Sequence, residues 1–306
     1  MSAITQATET TEATQTGSPL KKSPLRKLRE LTGPRRILIH TLLIGVALVM
    51  LYPLMWMLSS SFKPDTDIFT QPGLIPDQVR PENYSEGWSG SGNSFSLYIT
   101  NSLIVTIGAV IGNVISCSLA AYAFARFEFR GKKIWFGLML GTLMLPMQAT
   151  LIPQYTLFYN LTWINTFLPL IVPKFLAVDA FFIFLMVQFI RSIPRELDQA
   201  AMIDGANPLQ IYLKIILPLM RPALITTIIF TFIWTYDDFF SQLVYLQQNG
   251  RFTVPLGLTL FLDQTSGSSY GPMFAMATLA LLPTLICFLI FQKRLVEGLA
   301  TSGMKG

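Results

Sequence analysis

Six stretches of this chain, at approximately 37–62, 97–125, 134–156, 167–190, 222–245 and 272–292, are apolar runs of about 20 residues or more. A run of that length crosses the roughly 30 Å hydrocarbon layer of a bilayer as one helix. Inside lipid the backbone has no water to bond, so a chain of this kind must satisfy its own amides within helices. The expectation is an all-α membrane protein with six transmembrane helices. Composition agrees: 52% of residues are hydrophobic, 13% are charged, and the mean hydropathy is +0.50. The usual division of 306 residues into about two soluble domains does not apply to such a sequence.

The net charge of +5 invites a nucleic-acid reading, but the basic residues cluster between apolar runs. With six spans, eighteen Lys and Arg fall on the side of the termini, against Lys63, Arg80 and Arg251 on the other. That asymmetry places both termini in the cytoplasm and predicts no nucleic-acid partner. Residues 1–18 hold too little apolar surface to fold. The chain therefore divides into a disordered, basic cytoplasmic tail (1–36), a six-span domain (37–292) and a cytoplasmic C-terminal tail (293–306). The run from Ile37 is too long for a signal-peptide core and is expected to stay attached as a membrane anchor.

No catalytic set or metal cluster is apparent. Cys117 and Cys287 lie inside apolar runs as small packing residues, and His40, the single histidine, cannot hold zinc alone. Pro146, Pro153, Pro169 and Pro173 remove backbone donors in the third and fourth runs, where kinks or breaks are expected. Either a tightly packed bundle or a path bent around a cavity would use such kinks. Lys174 and Asp179, five apart, should sit on different helix faces and not pair. Asn-x-Ser/Thr matches at Asn83 and Asn160 are short enough to arise by chance. Gln148, Gln154 and Tyr155 are polar residues near the prolines of the third run.

One interruption is unlike a loop. Residues 191–221 contain QAAMIDGANPLQIYLKIILP at 199–218. Ser192 is a candidate N-cap, Pro194 fits a first turn, and Glu196 and Asp198 suit the positive end of a helix dipole. Leu197, Ala200, Ala201 and Asp204 then share a face with two alanines at its centre. Gly205 is placed to end the helix in a left-handed conformation, and Asn207–Pro208 to start another. In that second helix Leu209, Tyr212, Leu213, Ile216 and Leu217 form an apolar stripe, which Pro218 ends. By periodicity alone this is either a docking surface or an interfacial helix pair packed between spans.

The same residues resemble the EAA signature of bacterial ABC importer permeases: Glu-Ala-Ala, three residues, Gly, nine residues, Ile, one residue, Leu-Pro. Gln199, Ala200, Ala201, Gly205, Ile215, Leu217 and Pro218 stand at those places, and only Gln199 departs, replacing a glutamate. YPLMWMLSSSFKP, AYAFARFEFRGKK and MLPMQATLIPQY extend the likeness, which is to the maltose-type carbohydrate permeases and covers about residues 37–306. The resemblance implies a multi-pass protein of the bacterial cell membrane whose coupling loop docks on an ATP-binding subunit through Glu196, Gln199, Ala200, Ala201, Asp204, Gly205, Ile215, Leu217 and Pro218. It implies a C-terminal tail, Gly303, Met304, Lys305 and Gly306, reaching the ATPase interface. It also implies a second permease in a heterodimer (a homodimer being the alternative), two ATPase subunits that bind ATP and magnesium, and an external solute-binding protein. This chain itself would carry no cofactor, no metal and no catalysis.

The implied substrate is a sugar, with a di- or oligosaccharide favoured. Charges at membrane depth cost about 2.5–3.5 kcal/mol each on insertion scales, so Asp237 and Asp238 should face a cavity, water or a partner. Tyr236 could stack on a sugar with Asp237, Asp238 and Gln148 as further pathway residues. Gly298, Gly303 and Lys305 superficially resemble a phosphate loop, but Met304 breaks the required Gly-Lys-Ser/Thr order. A proton-coupled secondary transporter working through Asp237 and Asp238 is the alternative function, although the sequence shows no internal repeat of the kind such folds use.

Overall fold

The computed structural model describes residues 33–90, 92–262 and 268–303, with side chains described throughout except at 33–35, 147 and 293–303. The described residues are helical and form no strand. In chain order the α-helices are α1 (Gly33–Ser60), α2 (Asp65–Thr70), α3 (Glu82–Ser89), α4 (Phe95–Arg126), α5 (Lys132–Thr142), α6 (Met147–Asn160), α7 (Leu168–Ile171) and α8 (Ala180–Ser192). They continue as α9 (Glu196–Ile203), α10 (Pro208–Ile211), α11 (Leu217–Leu219), α12 (Arg221–Tyr236), α13 (Phe240–Tyr245), α14 (Val254–Thr259) and α15 (Tyr270–Gly303).

The chain divides into two compact units after Leu54. The described part of the first is the leading portion of α1, where Ile37, Leu42, Ile44, Val49 and Met50 are all exposed. A helix apolar on every side suits lipid and not water. In the second unit α4 is the axis. Its 32 residues make a rod of about 48 Å at 1.5 Å per residue, longer than the hydrocarbon layer. α8, α12 and the segment before α8 pack along it. Gly108 and Gly112, one turn apart, make that approach possible: a Cβ on Gly112 would lie 2.7 Å from the Phe175 ring, and one on Gly108 would lie 3.0 Å from Ile171.

Four stretches are long and apolar enough to cross a membrane: Arg36–Ser60, Phe95–Arg126, Leu168–Ser192 and Tyr270–Gln292. A fifth is present if Pro208–Leu219 and Arg221–Tyr236, which meet at 76°, form one broken span. The expected third run is split between α5 and α6, of 11 and 14 residues, by a break that ends at Pro146. The expected fifth run is helical from Arg221 only to Tyr236 and resumes in α13. Leu168–Ser192 is also irregular, passing through a 3-10 turn at Val172–Leu176 and a left-handed Ala177. The prolines named from the sequence thus break two of the runs that contain them.

The segments outside the runs are well tied. Asn83 is fully buried, and its Nδ2 donates to the carbonyls of Ser61 and Lys63, both at 2.9 Å. That nitrogen is unavailable for glycosylation in the folded chain. α14 is fastened to the start of α4, where Asn101 Nδ2 donates to the Phe252 carbonyl at 2.8 Å and Ser102 Oγ accepts the Val254 N–H at 2.9 Å.

Candidate functional site

The 191–221 segment folds as helix, turn, helix. α9 starts after Arg195 and not after Ser192, whose hydroxyl donates back to the Phe189 carbonyl as α8 ends. Glu196 and Asp198 still occupy the first turn of α9. At its end the Ala206 N–H donates to the Ala201 carbonyl (2.9 Å) and the Gly205 N–H to the Met202 carbonyl (3.1 Å), with Gly205 at φ +82°. This is the Schellman arrangement, which needs a left-handed residue and favours glycine there. Asn207 then caps α10: its Oδ1 accepts the Gln210 N–H, and Gln210 Oε1 accepts the Asn207 N–H, both at 2.9 Å. Pro208 follows in the first turn, where its missing donor costs nothing.

Beyond α10 the backbone makes a π turn over Tyr212–Ile216. The wider turn changes which residues face inward. Ile211, Tyr212, Ile216 and Met220 are buried, whereas Leu209 and Leu213, expected in the same stripe, point outward. Ile215 and Leu217 pack partly against the buried set. The buried residues join Cys117, Ala121, Tyr122 and Ala125 of α4 and Ile183, Met186 and Ile190 of α8 in one apolar cluster. Burying a large aliphatic side chain contributes about 1.5–3 kcal/mol, so this cluster fixes the segment firmly to the bundle.

Polar contacts fix its orientation. The Tyr212 and Ser118 hydroxyls lie 2.7 Å apart, and the Tyr122 hydroxyl donates to the Pro208 carbonyl at 3.1 Å. Arg126, the last residue of α4, donates to the Ile193 carbonyl at 3.0 Å, and its Nε lies 2.7 Å from Asp198 Oδ2. Both side chains of this ion pair are less than a tenth exposed. The contact is one of charge more than of hydrogen bonding, because Arg126 Nε and Asp198 Oδ1 both lack a hydrogen-bond partner. Burial pushes the Asp198 carboxyl above its ordinary value, against the opposing pull of Arg126 and Arg195. Beside the pair lies an open cavity of about 700 Å³ reached by Arg126, Lys132, Arg191 and Arg195.

The outer face of α9 is unlike an ordinary solvent face. Ile203 is 86% exposed, Met202 57% and Leu197 43%. Glu196, Gln199, Ala200 and Asp204 are exposed beside them, while Ala201 turns toward the bundle. The two alanines therefore divide their work: Ala200 leaves the outer surface low, and Ala201 packs inward.

The proposed pathway residues are not gathered together. Tyr236 is 2% exposed and stacks on Phe232 at 5.8 Å, so its ring is closed to a solute in this conformation. An exposed ring nearby is Trp234, one of the residues the sequence did not single out, 5.8 Å from Phe181 and 5.5 Å from Phe182. Asp238 Oδ1 accepts the Ser241 N–H of the first turn of the short helix α13 at 3.0 Å. Asp237 is exposed at the end of α12, and Gln148 is exposed at the start of α6. Gly303 ends α15, and Met304, Lys305 and Gly306 lie outside the described residues.

A different polar cluster departs from the helical spacing. Lys174 Nζ lies 2.8 Å from Asp179 Oδ2, because the 3-10 turn and left-handed Ala177 fold the chain back between them. The same oxygen accepts from Asn113 Nδ2 at 2.5 Å, and Asn113 also donates to Thr231 Oγ1 at 3.1 Å. Helix spacing rules do not hold where the helix is broken.

The inner membrane component family of binding-protein-dependent transport systems matches residues 112–301. A probable ABC transporter permease of Bacillus subtilis is 35% identical over 83% of this chain and 84% of that protein. The trehalose/maltose transport system permease of Thermococcus litoralis is 32% identical over 89% of this chain and 98% of that protein. In fold the chain resembles a subunit of a bacterial ABC transporter involved in the import of the acidic polysaccharide alginate, with a TM-score of 0.74 at 22% identity, covering 90% of this chain and 99% of that one.

Proposed function

The chain belongs to the family of binding-protein-dependent transport system inner membrane components, and from that premise we propose that it forms half of the translocation pathway of an ATP-driven sugar importer. The observation that carries the coupling part of this reading is the α9 surface. A short helix, ended by a left-handed glycine and braced by an apolar cluster, holds Leu197, Met202 and Ile203 out for a partner to cover. Exposed large apolar groups of this kind mark interaction sites. The partner is an ATP-binding subunit, and α9 transmits its movement to the bundle.

The proposed topology has six spans, with the broken pair α5 and α6 as one and both termini and α9 in the cytoplasm. The distribution of Lys and Arg supports that orientation. The 76° bend between Pro208–Leu219 and Arg221–Tyr236 fits a helix lying along the membrane surface before the chain turns into it. A second permease completes the pathway, two ATPases bind ATP and magnesium, and an external binding protein delivers the solute. The C-terminal residues Gly303–Gly306 are a further proposed contact for the ATPases.

Carbohydrate is the proposed solute, and a di- or oligosaccharide the proposed class. The names of relatives support it: besides the trehalose/maltose permease, an arabinooligosaccharides transport system permease of Halalkalibacterium halodurans is 30% identical over 85% of this chain. The test is uptake by the reconstituted complex of labelled oligosaccharides presented by the cognate binding protein. Accumulation is expected only with ATP inside the ATPase-accessible compartment. Uptake driven by a pH gradient without ATP would instead establish a secondary transporter.

A further inference from the structure

We infer that Lys174 and Asp179 form a contact for the hydroxyl groups of a neutral sugar on the wall of the translocation pathway. The inference rests on the reading of this chain as a carbohydrate permease. Asp179 lies one residue from the midpoint of the stretch Leu168–Ser192, so the pair sits at membrane depth. There, ionisable side chains face a cavity, water or protein in preference to lipid, and irregular backbone survives only under the same condition. Both features coincide here.

The pair is built into the fold. Ala177 takes φ 54°, a conformation that residues with a Cβ adopt only at a steric cost. Gly108 and Gly112 of α4 receive the broken segment closely, the second within 3.0 Å of the Lys174 backbone if a Cβ is added. Ser116 Oγ donates to the Lys174 carbonyl at 2.6 Å, which satisfies an acceptor that the broken helix leaves free. Asn113 Nδ2 holds Asp179 Oδ2 from one side while Lys174 Nζ holds it from the other.

This bracing leaves hydrogen-bonding capacity pointing away from the core. The two side chains are 28% and 26% exposed. An ammonium has three hydrogens to donate, and a carboxylate has about four acceptor positions. Among the described residues, Lys174 Nζ bonds only Asp179, and Asp179 uses only Oδ2. A donor and an acceptor therefore stand side by side, fixed in place and together neutral. Adjacent sugar hydroxyls, each able to donate and accept, match that arrangement. Being neutral overall, the pair adds no net attraction for an anionic or a cationic solute.

The experiment uses the full complex of permeases, ATPases and binding protein in proteoliposomes, comparing wild type with Asp179→Asn, Lys174→Met and Lys174→Arg. Readouts are sugar uptake per ATP hydrolysed, binding-protein-stimulated ATPase activity, subunit ratio and Tm. Asp179→Asn and Lys174→Met are each expected to lower uptake per ATP about tenfold, with a modest fall in Tm from the unpaired partner and with ATPase stimulation and subunit ratio close to wild type. Lys174→Arg should restore most of it. Unchanged uptake per ATP in both neutral variants overturns the inference. So does a joint loss of assembly, Tm and ATPase activity, which would make the pair a structural brace or a contact to the second permease. Wild-type complex that moves no sugar with ATP overturns the carbohydrate reading instead, so the two failures are distinct.

Discussion

A Gly205→Pro chain is expected to insert in the membrane, to lose its ATPase subunits on purification and to move no solute. Gly205 sits at φ +82°, whereas proline is locked near −65°. Proline also lacks the N–H that Gly205 donates to the Met202 carbonyl. Both halves of the Schellman turn are therefore lost, at a cost of about 3 kcal/mol or more. A Cβ on Gly205 would meet nothing within 4 Å, so the constraint is backbone conformation and not space. Gly205→Ala should accordingly be milder, paying about 1–2 kcal/mol for a left-handed alanine and keeping measurable uptake. The apolar cluster that holds α10 and the π turn to α4 does not include Gly205, which is why insertion should survive. Normal uptake together with normal ATPase copurification in Gly205→Pro would refute α9 as the docking element.

The turn at Gly205 and the cap at Asn207–Pro208 are legible in the sequence because capping chemistry is local: each signal is read within four residues. The inward face of the following helix is not, since a π turn shifts the register on which an amphipathic reading depends. Helical spacing puts Lys174 and Asp179 on different faces, but the chain does not follow that spacing there. The cause lies some sixty residues upstream, where Gly108 and Gly112 admit the broken segment. Tyr236 and Trp234 illustrate a further limit. Two aromatics two residues apart are equally plausible in sequence, and only packing in the cluster of Phe95, Tyr98 and Met276, with Phe232 stacked on it, makes the tyrosine the buried one. Asp198 reads as a helix-dipole residue, but its partner Arg126 is supplied from the far end of another helix.

That long-range pair gives the second large effect. Arg126 joins the end of α4 to the first turn of α9, through the Ile193 carbonyl and the Asp198 carboxylate. Removing one member of a buried pair costs about 3–5 kcal/mol because the other charge is left stranded. At 1.4 kcal/mol per tenfold that is about 10²–10⁴ in the population of the arrangement joining α4 to α9, so Arg126→Met should lower uptake per ATP by at least about tenfold. The outer face of α9 is untouched, so the ATPases should still bind. Asp198→Asn in the same chain removes the stranded charge and should recover much of the loss.

The pH dependence has a definite sign. Asp198 is already raised by burial against the pull of Arg126 and Arg195, so the folded chain binds its proton more tightly than the unfolded chain does. Folding stability then falls as pH rises through the window between the ordinary and raised values, and is constant above it. Without Arg126 an opposing cause is gone, the folded value climbs further, and the window extends upward. Lowering the pH into that window should therefore partly restore coupling in Arg126→Met by neutralising Asp198, and the variant should respond at higher pH than the wild type. If Arg126→Met couples normally, or Asp198→Asn brings no recovery, the link between α4 and α9 transmits nothing and the movement of the ATPases must enter the bundle through the apolar cluster alone.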